Sequence, residues 1–243
     1  MIKFIRGFIT IFCFIFFGIS ALIFDYFVFP LQKSKYEQYE ILRKSWAFFI
    51  QLLIKLHIIR LNVTNIDKIK NIKNSIIVST HPSFIDIVVL ISIIPYSTCF
   101  VANRLAQNFF LKGIVKLLFL VETKSIDELT EATCKKLNDG LNVIIFPMGI
   151  RHRKNETPRI RRGTALIAQK SHKNIVMLNL ETDYDFLRIN QPIYDAGDKS
   201  VLYTLEYLGQ INTNDYLDKY PDAVTFNTKI TKQIAKNLYK DKI

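Results

Sequence analysis

The sequence predicts an α/β fold: a mostly parallel sheet flanked by helices, preceded by an N-terminal apolar helical membrane segment. Three observations carry this expectation. From Ile58 onward, short apolar runs of strand length alternate with stretches of helix length, the order that parallel βαβ units require. Residues 8–24 form a run of seventeen without a charge. The chain is 49% hydrophobic, with the excess concentrated at that start. A division follows, with residues 1–57 as a membrane-associating helical segment and residues 58–243 as the α/β domain.

Taken in order, residues 8–24 would span about 26 Å as a helix, slightly short of a ~30 Å hydrocarbon core. A cleaved signal peptide fits the basic start at Lys3 and Arg6, but the apolar run continues past the small residues Gly18 to Ala21. A single span is the second reading, although Lys33, Lys35, Arg43 and Lys44 beyond it remove the charge asymmetry that would orient it. A helix that re-enters, or lies in the interface, satisfies both basic flanks. Trp46, Phe48, Phe49, Leu52, Leu53 and Leu56, interleaved with basic residues, read equally as an interfacial helix or a core helix.

In the domain, residues 58–63 and 76–78 read as strands, and 84–94 as a buried helix ended by Pro95. Residues 98–101 read as a strand leading into a helix that continues to Leu117. Ser125-Ile126-Asp127-Glu128 is a capping box opening a helix that Gly140 terminates. Residues 142–146 read as a strand, 163–172 as a helix and 175–180 as a strand. Beyond Thr182 the pattern weakens, until 224–239 reads as a basic terminal helix.

Two strand ends carry chemistry. After residues 75–79 comes His81-Pro82-Ser83-Phe84-Ile85-Asp86. Proline suits a first helical turn, and the strand's carboxyl end is where open α/β sheets place ligands. The aspartate can hold one ring nitrogen while the other takes a proton from a hydroxyl. A capping region with a hydrogen-bonded histidine is the bland alternative for the isolated pair. The second end is Phe146-Pro147-Met148-Gly149-Ile150-Arg151, a strand broken at Pro-x-Gly that delivers a cation.

These stretches resemble the first and third motifs of the glycerolipid acyltransferases related to lysophosphatidic acid acyltransferase. The resemblance covers roughly residues 58–182. It implies that His81 is a general base oriented by Asp86, that a hydroxyl attacks an acyl thioester without a covalent acyl-enzyme, and that Arg151 contacts the acceptor's anionic head. Pro147, Met148, Gly149, Arg104 and Arg161 are the remaining substrate-binding candidates. Arg104 follows a strand where relatives carry a basic residue, and Arg161 stands before Gly163 in a run with Arg159 and Arg162. Both have a surface-charge alternative at equal odds.

The chain also departs from the pattern. Met148 stands where the third motif has glutamate, and Ile150 where it has threonine. The stretch 113–122 lacks the second motif's arginine, and Met177 replaces the fourth motif's proline. The acceptor therefore reads as a lysophospholipid-like or other amphipathic alcohol rather than specifically lysophosphatidic acid. A family member that binds lipid or acyl carrier without turnover, and a thioester hydrolase, are the competing readings.

The net charge of +12 raises nucleic acid as a partner, but no such motif accompanies it. With an apolar anchor it points instead to anionic lipid and to an acidic acyl-carrier protein or acyl-CoA. Cys13, Cys99 and Cys134 have no paired spacing, so neither metal nor resident cofactor is expected, and the thioester is a co-substrate. Scattered thiols fit a reducing compartment, with the domain on the cytoplasmic face of the inner membrane.

Overall fold

A computed structural model describes residues 2–32, 34–121, 125–149, 160–188 and 190–239. Helix α1 (Ile2–Ile23) runs through a π-helical turn (Phe24–Val28) and a 3₁₀ turn at Pro30 (Phe29–Leu31) before α2 (Lys35–Lys55). Ser34 and Glu37 form a reciprocal capping box at the start of α2. The domain then continues as β1 (Ile59–Val63), α3 (Ile66–Lys70), β2 (Ile76–Ser79), α4 (Asp86–Ile93), β3 (Ser97–Val101), α5 (Asn103–Ala106), α6 (Lys112–Leu118) and β4 (Leu120–Val121). It finishes with α7 (Ile126–Asn138), β5 (Asn142–Ile145), α8 (Gly163–Ser171), β6 (Ile175–Thr182), β7 (Val201–Ile211), α9 (Thr213–Lys219) and α10 (Ala223–Leu238).

Among the described residues, seven strands lie in the order β1-β7-β6-β2-β5-β3-β4. Every neighbouring pair is parallel except β6 with β7. The predicted α/β class with a mostly parallel sheet is therefore what the chain adopts, with one antiparallel pair inside it. Along β2 the side chains alternate between two cores. Ile77 joins the cluster built with α1, α2, α4 and α6, while Ile76 and Val78 join the one under α7, α8 and α10.

Two elements differ from the expectation. The helix read as continuous to Leu117 is two pieces, α5 and α6, separated at residues 107–111. The weakly patterned stretch after Thr182 contains β7, the longest strand. Its buried residues Val201, Tyr203 and Leu205 do alternate with Thr204 and Glu206, but Leu202 and Leu208 at intervening positions are apolar and only half-buried, which blurs the period. A register shift opposite Met177/Leu178 and Gly209 at φ +136° blur it further.

Of the two readings for the second helix, its packing is that of a core helix. Trp46, Phe49 and Leu53 are buried, and Phe48 stays 62% exposed. Helix α1 lies alongside the domain and is fastened near both ends. At one end the Arg6 guanidinium donates to the carbonyls of His57 (2.7 Å), Ile58 (3.3 Å), Ala196 (3.3 Å) and Lys199 (2.8 Å). At the other, the Asp25 carboxylate accepts from the backbone N–H groups of Gly113 and Ile114 in the first turn of α6. Any side chain at position 113 would collide with that carboxylate.

The outward face of α1 is apolar. Phe4, Phe8, Phe12 and Phe16, spaced one helical turn apart, are 84%, 62%, 55% and 47% exposed. Residues Ile2–Leu31 form a helical stretch long and apolar enough to cross a membrane. An apolar stripe of this size, on a helix already packed along its opposite side, is consistent with membrane association. Asp25→Ala should remove the cap on α6 and lower stability by about 0.5–2 kcal/mol. Thermal unfolding in detergent measures this, and an unchanged midpoint would show that α6 does not depend on the carboxylate.

Candidate active site

The site grows from the carboxyl end of β2, a strand buried along its whole length. Thr80 pins that end to the neighbouring strand. Its hydroxyl donates to the Leu180 carbonyl (2.7 Å) and accepts from the Leu180 N–H (2.7 Å). His81 follows, and Pro82 turns the chain toward α4. Asp86, in the first turn of α4, has no solvent exposure, and one of its oxygens serves two donors. It accepts from the Ser83 N–H at 2.7 Å and faces His81 Nδ1 at 2.8 Å. The aspartate thus fixes both the loop and the ring, and the α4 N-terminus favours its charge.

An acceptor at Nδ1 selects the tautomer that carries its proton there, leaving the Nε2 lone pair as a base. The His81 side chain is 16% exposed, so the ring is held but reachable. Its face is covered by Phe146 from the end of β5, with centroids 3.9 Å apart and planes 13° from parallel. The second strand end is therefore directly against the first, because β5 is the sheet neighbour of β2.

After Phe146 the chain turns sharply. The Gly149 N–H donates to the Phe146 carbonyl (2.8 Å), and Gly149 adopts φ +73°. The Arg161 N–H donates to the Pro147 carbonyl (2.8 Å), which lays its guanidinium over Gly149. A Cβ at 149 would stand 2.7 Å from Arg161 Cζ and push that flexible side chain aside, while the positive φ is what calls for glycine. Met148 is half-buried and packs on the cluster beneath α7, α8 and α10.

The structure pairs His81 with Asp86 and, through the Phe146 ring on His81, sets the Pro147-Met148-Gly149 turn with Arg161 over it directly after that contact. Arg104 sits exposed on α5, which leaves the carboxyl end of β3, the strand next to β5. It shares the edge of the sheet without a contact to the pair. Arg151 lies outside the described residues. Met177, the residue at the altered fourth motif, is buried and accepts from the Asn237 amide (3.3 Å), away from the histidine.

Two contributors escaped the sequence reading. Phe146 was visible only as a motif letter, and its stacking depends on β5 lying beside β2. Tyr203 is fully buried on β7, and its hydroxyl donates to Ser83 Oγ at 2.7 Å, bracing the loop from below. Burial, and after it the Asp86 carboxylate, hold the Tyr203 phenol well above its usual range, so it remains a protonated donor. Ser83, tied at Oγ and at N–H, is a post of the loop.

Comparison with known proteins bears on the family and the fold. The family described as Acyltransferase matches residues 60–181, just over half of the chain. No curated protein matches the sequence. Among solved structures, the chain is similar to the crystal structure of the 1-acyl-sn-glycerophosphate (LPA) acyltransferase PlsC from Thermotoga maritima. That likeness has a TM-score of 0.69 at 14% identity and covers 96% of this chain and 95% of the other. At that identity it shows a shared fold.

Two substitutions test the scaffold of the site. Tyr203→Phe leaves the buried Ser83 hydroxyl short of a donor and should cost ~1–3 kcal/mol in thermal unfolding. Gly149→Ala should cost about 1–2 kcal/mol from the left-handed backbone alone, before Arg161 is displaced. Unchanged melting temperatures would contradict these two assignments.

Proposed function

This chain belongs to the acyltransferase family, and from that premise we propose that it is a membrane-bound O-acyltransferase whose base is His81. It is an enzyme of acyl transfer. The finer reading is that a fatty acyl group passes from an acyl-carrier protein or coenzyme A thioester to a hydroxyl of a lysophospholipid-like acceptor. The observation that carries it is the His81 Nδ1–Asp86 Oδ2 pair at 2.8 Å, at a strand end open to ligand.

In the proposed step, His81 Nε2 removes the acceptor's hydroxyl proton as its oxygen attacks the thioester carbonyl. Asp86 holds the ring in register and stabilises the imidazolium that forms. The tetrahedral oxyanion needs donors. In the turn after β5, the Gly149 N–H is engaged with Phe146, so the Met148 N–H is the amide this turn offers. Collapse of that intermediate expels the thiolate, which takes the proton from His81. Arg161 supplies positive charge beside the turn for an anionic acceptor head, and Arg104 and Arg151 are the further candidates for that task.

Location supports a lipid acceptor. Phe84, within the His81–Asp86 loop, is 42% exposed and touches Phe14 of α1 at 6.5 Å between centroids. The loop therefore borders the apolar helix. With α1 lying in the interface of the cytoplasmic leaflet, an acceptor would reach His81 without leaving the membrane. Where the notional glutamate of the family would meet a polar head, Met148 presents a thioether, which favours a less polar acceptor contact there.

The test uses purified full-length protein in mixed micelles, an acyl thioester, and a lipid extract as acceptor. His81→Ala and Asp86→Asn should each lower kcat by about 10²- to 10⁴-fold with KM little changed. Full transfer by His81→Ala would sink the mechanism. Release of free fatty acid with no acylated lipid would replace transfer with hydrolysis.

A further inference from the structure

Between the π-helical end of the first helical segment and α2 lies an open groove of about 440 Å³. Phe16 and Phe24 line one side and Ile41 and Phe48 the other, while Phe17 and Phe49, whose ring centroids are 4.6 Å apart, close it between them. Its polar lining is Ser20, Lys44 and Ser45. The volume lies within the roughly 300–1,000 Å³ of small-molecule sites. The mouth is continuous with the exposed stripe of α1, since Phe16 belongs to both.

The charge at the rim is unbalanced. Glu40 accepts two hydrogen bonds from Arg43, at 2.6 and 2.8 Å, and is thereby matched. Lys44 stands 3.8 Å from the same carboxylate and is 70% exposed. The three groups sum to one positive charge, carried at the groove's edge by Lys44. An aromatic trough with one cation at its rim complements a hydrocarbon chain with an anionic head. Neutral lipid tails would fill the trough equally well, so head charge is what this geometry can select.

We propose that the α1–α2 groove is a binding site for a single-chain anionic lipid, its acyl chain lying over the touching rings of Phe17 and Phe49, between Phe16 and Phe48, and its head at Lys44. The site is separate from the His81 centre and does not rest on the catalytic reading. The head group is named only as an anion, because a phosphate and a carboxylate would meet Lys44 alike.

Trp46 makes this directly measurable. It is the sole tryptophan of the chain, and its ring lies 6.0 Å from that of Phe17. Chain-brominated lipids quench an indole only at close range. Titration of the full chain in detergent with dibromostearate or a dibromoacyl lysophosphatidic acid should give saturable quenching of Trp46. Dibromoacyl lysophosphatidylcholine should bind about five- to tenfold more weakly, as should either anion to Lys44→Glu. Ser45→Phe, which fills the groove, should remove the saturable component, with circular dichroism confirming that it folds. The tighter of the two anions identifies the head group as phosphate or carboxylate. Quenching that rises linearly with bulk lipid, that is equal for all three heads, or that survives Ser45→Phe would overturn the site.

Discussion

A carboxylate without solvent exposure has to be met by donors, and this requirement shapes the centre of the molecule. Moving an ion out of water costs several kcal/mol even after relaxation, and removing one partner of a buried pair typically costs about 3–5 kcal/mol. Asp86 meets the requirement with the Ser83 N–H and His81 Nδ1, both on one oxygen. The loop between β2 and α4 therefore cannot fold without orienting the imidazole. The same two bonds hold the loop and orient the imidazole, with Thr80 and Tyr203 bracing the loop.

The arrangement also explains why the N-terminal helices belong with the site. Helix α1 is held at Arg6 and at Asp25, and between these anchors Phe14 reaches both Phe49 of α2 and Phe84 of the loop. One continuous hydrophobic cluster joins α1, α2 and α4 to one face of the sheet. The same helix turns its phenylalanine stripe outward. A lipid-facing surface and a histidine loop thus share a wall, which is the physical basis for reading the acceptor as amphipathic.

Much of this was legible from the residues, and the parts that were not have definite causes. Strands buried on both faces, such as β2 and β5, stand out as uninterrupted apolar runs, and their ends carry the two motifs. The local His81–Asp86 spacing needed only one turn of helix to close. By contrast, β7 carries apolar Leu202 and Leu208 at intervening positions and is interrupted by Gly209, so its alternation is obscured, and with it Tyr203. The stacking of Phe146 on His81 joins residues far apart in the chain and depends on strand order, which spacing does not encode. Asp25 read as the charge ending an apolar run, whereas its role appears only once α6 is placed against it.

The buried carboxylate fixes the histidine with its proton on Nδ1 and its base on Nε2. Nitrogen-15 NMR of histidine-labelled protein in micelles reads this directly, with His81→Ala assigning the resonance. At a pH where the ring is neutral, the account predicts a protonated Nδ1 and a bare Nε2 for His81, with that preference lost in Asp86→Asn. A proton on Nε2, or a tautomer ratio indifferent to Asp86, would contradict it.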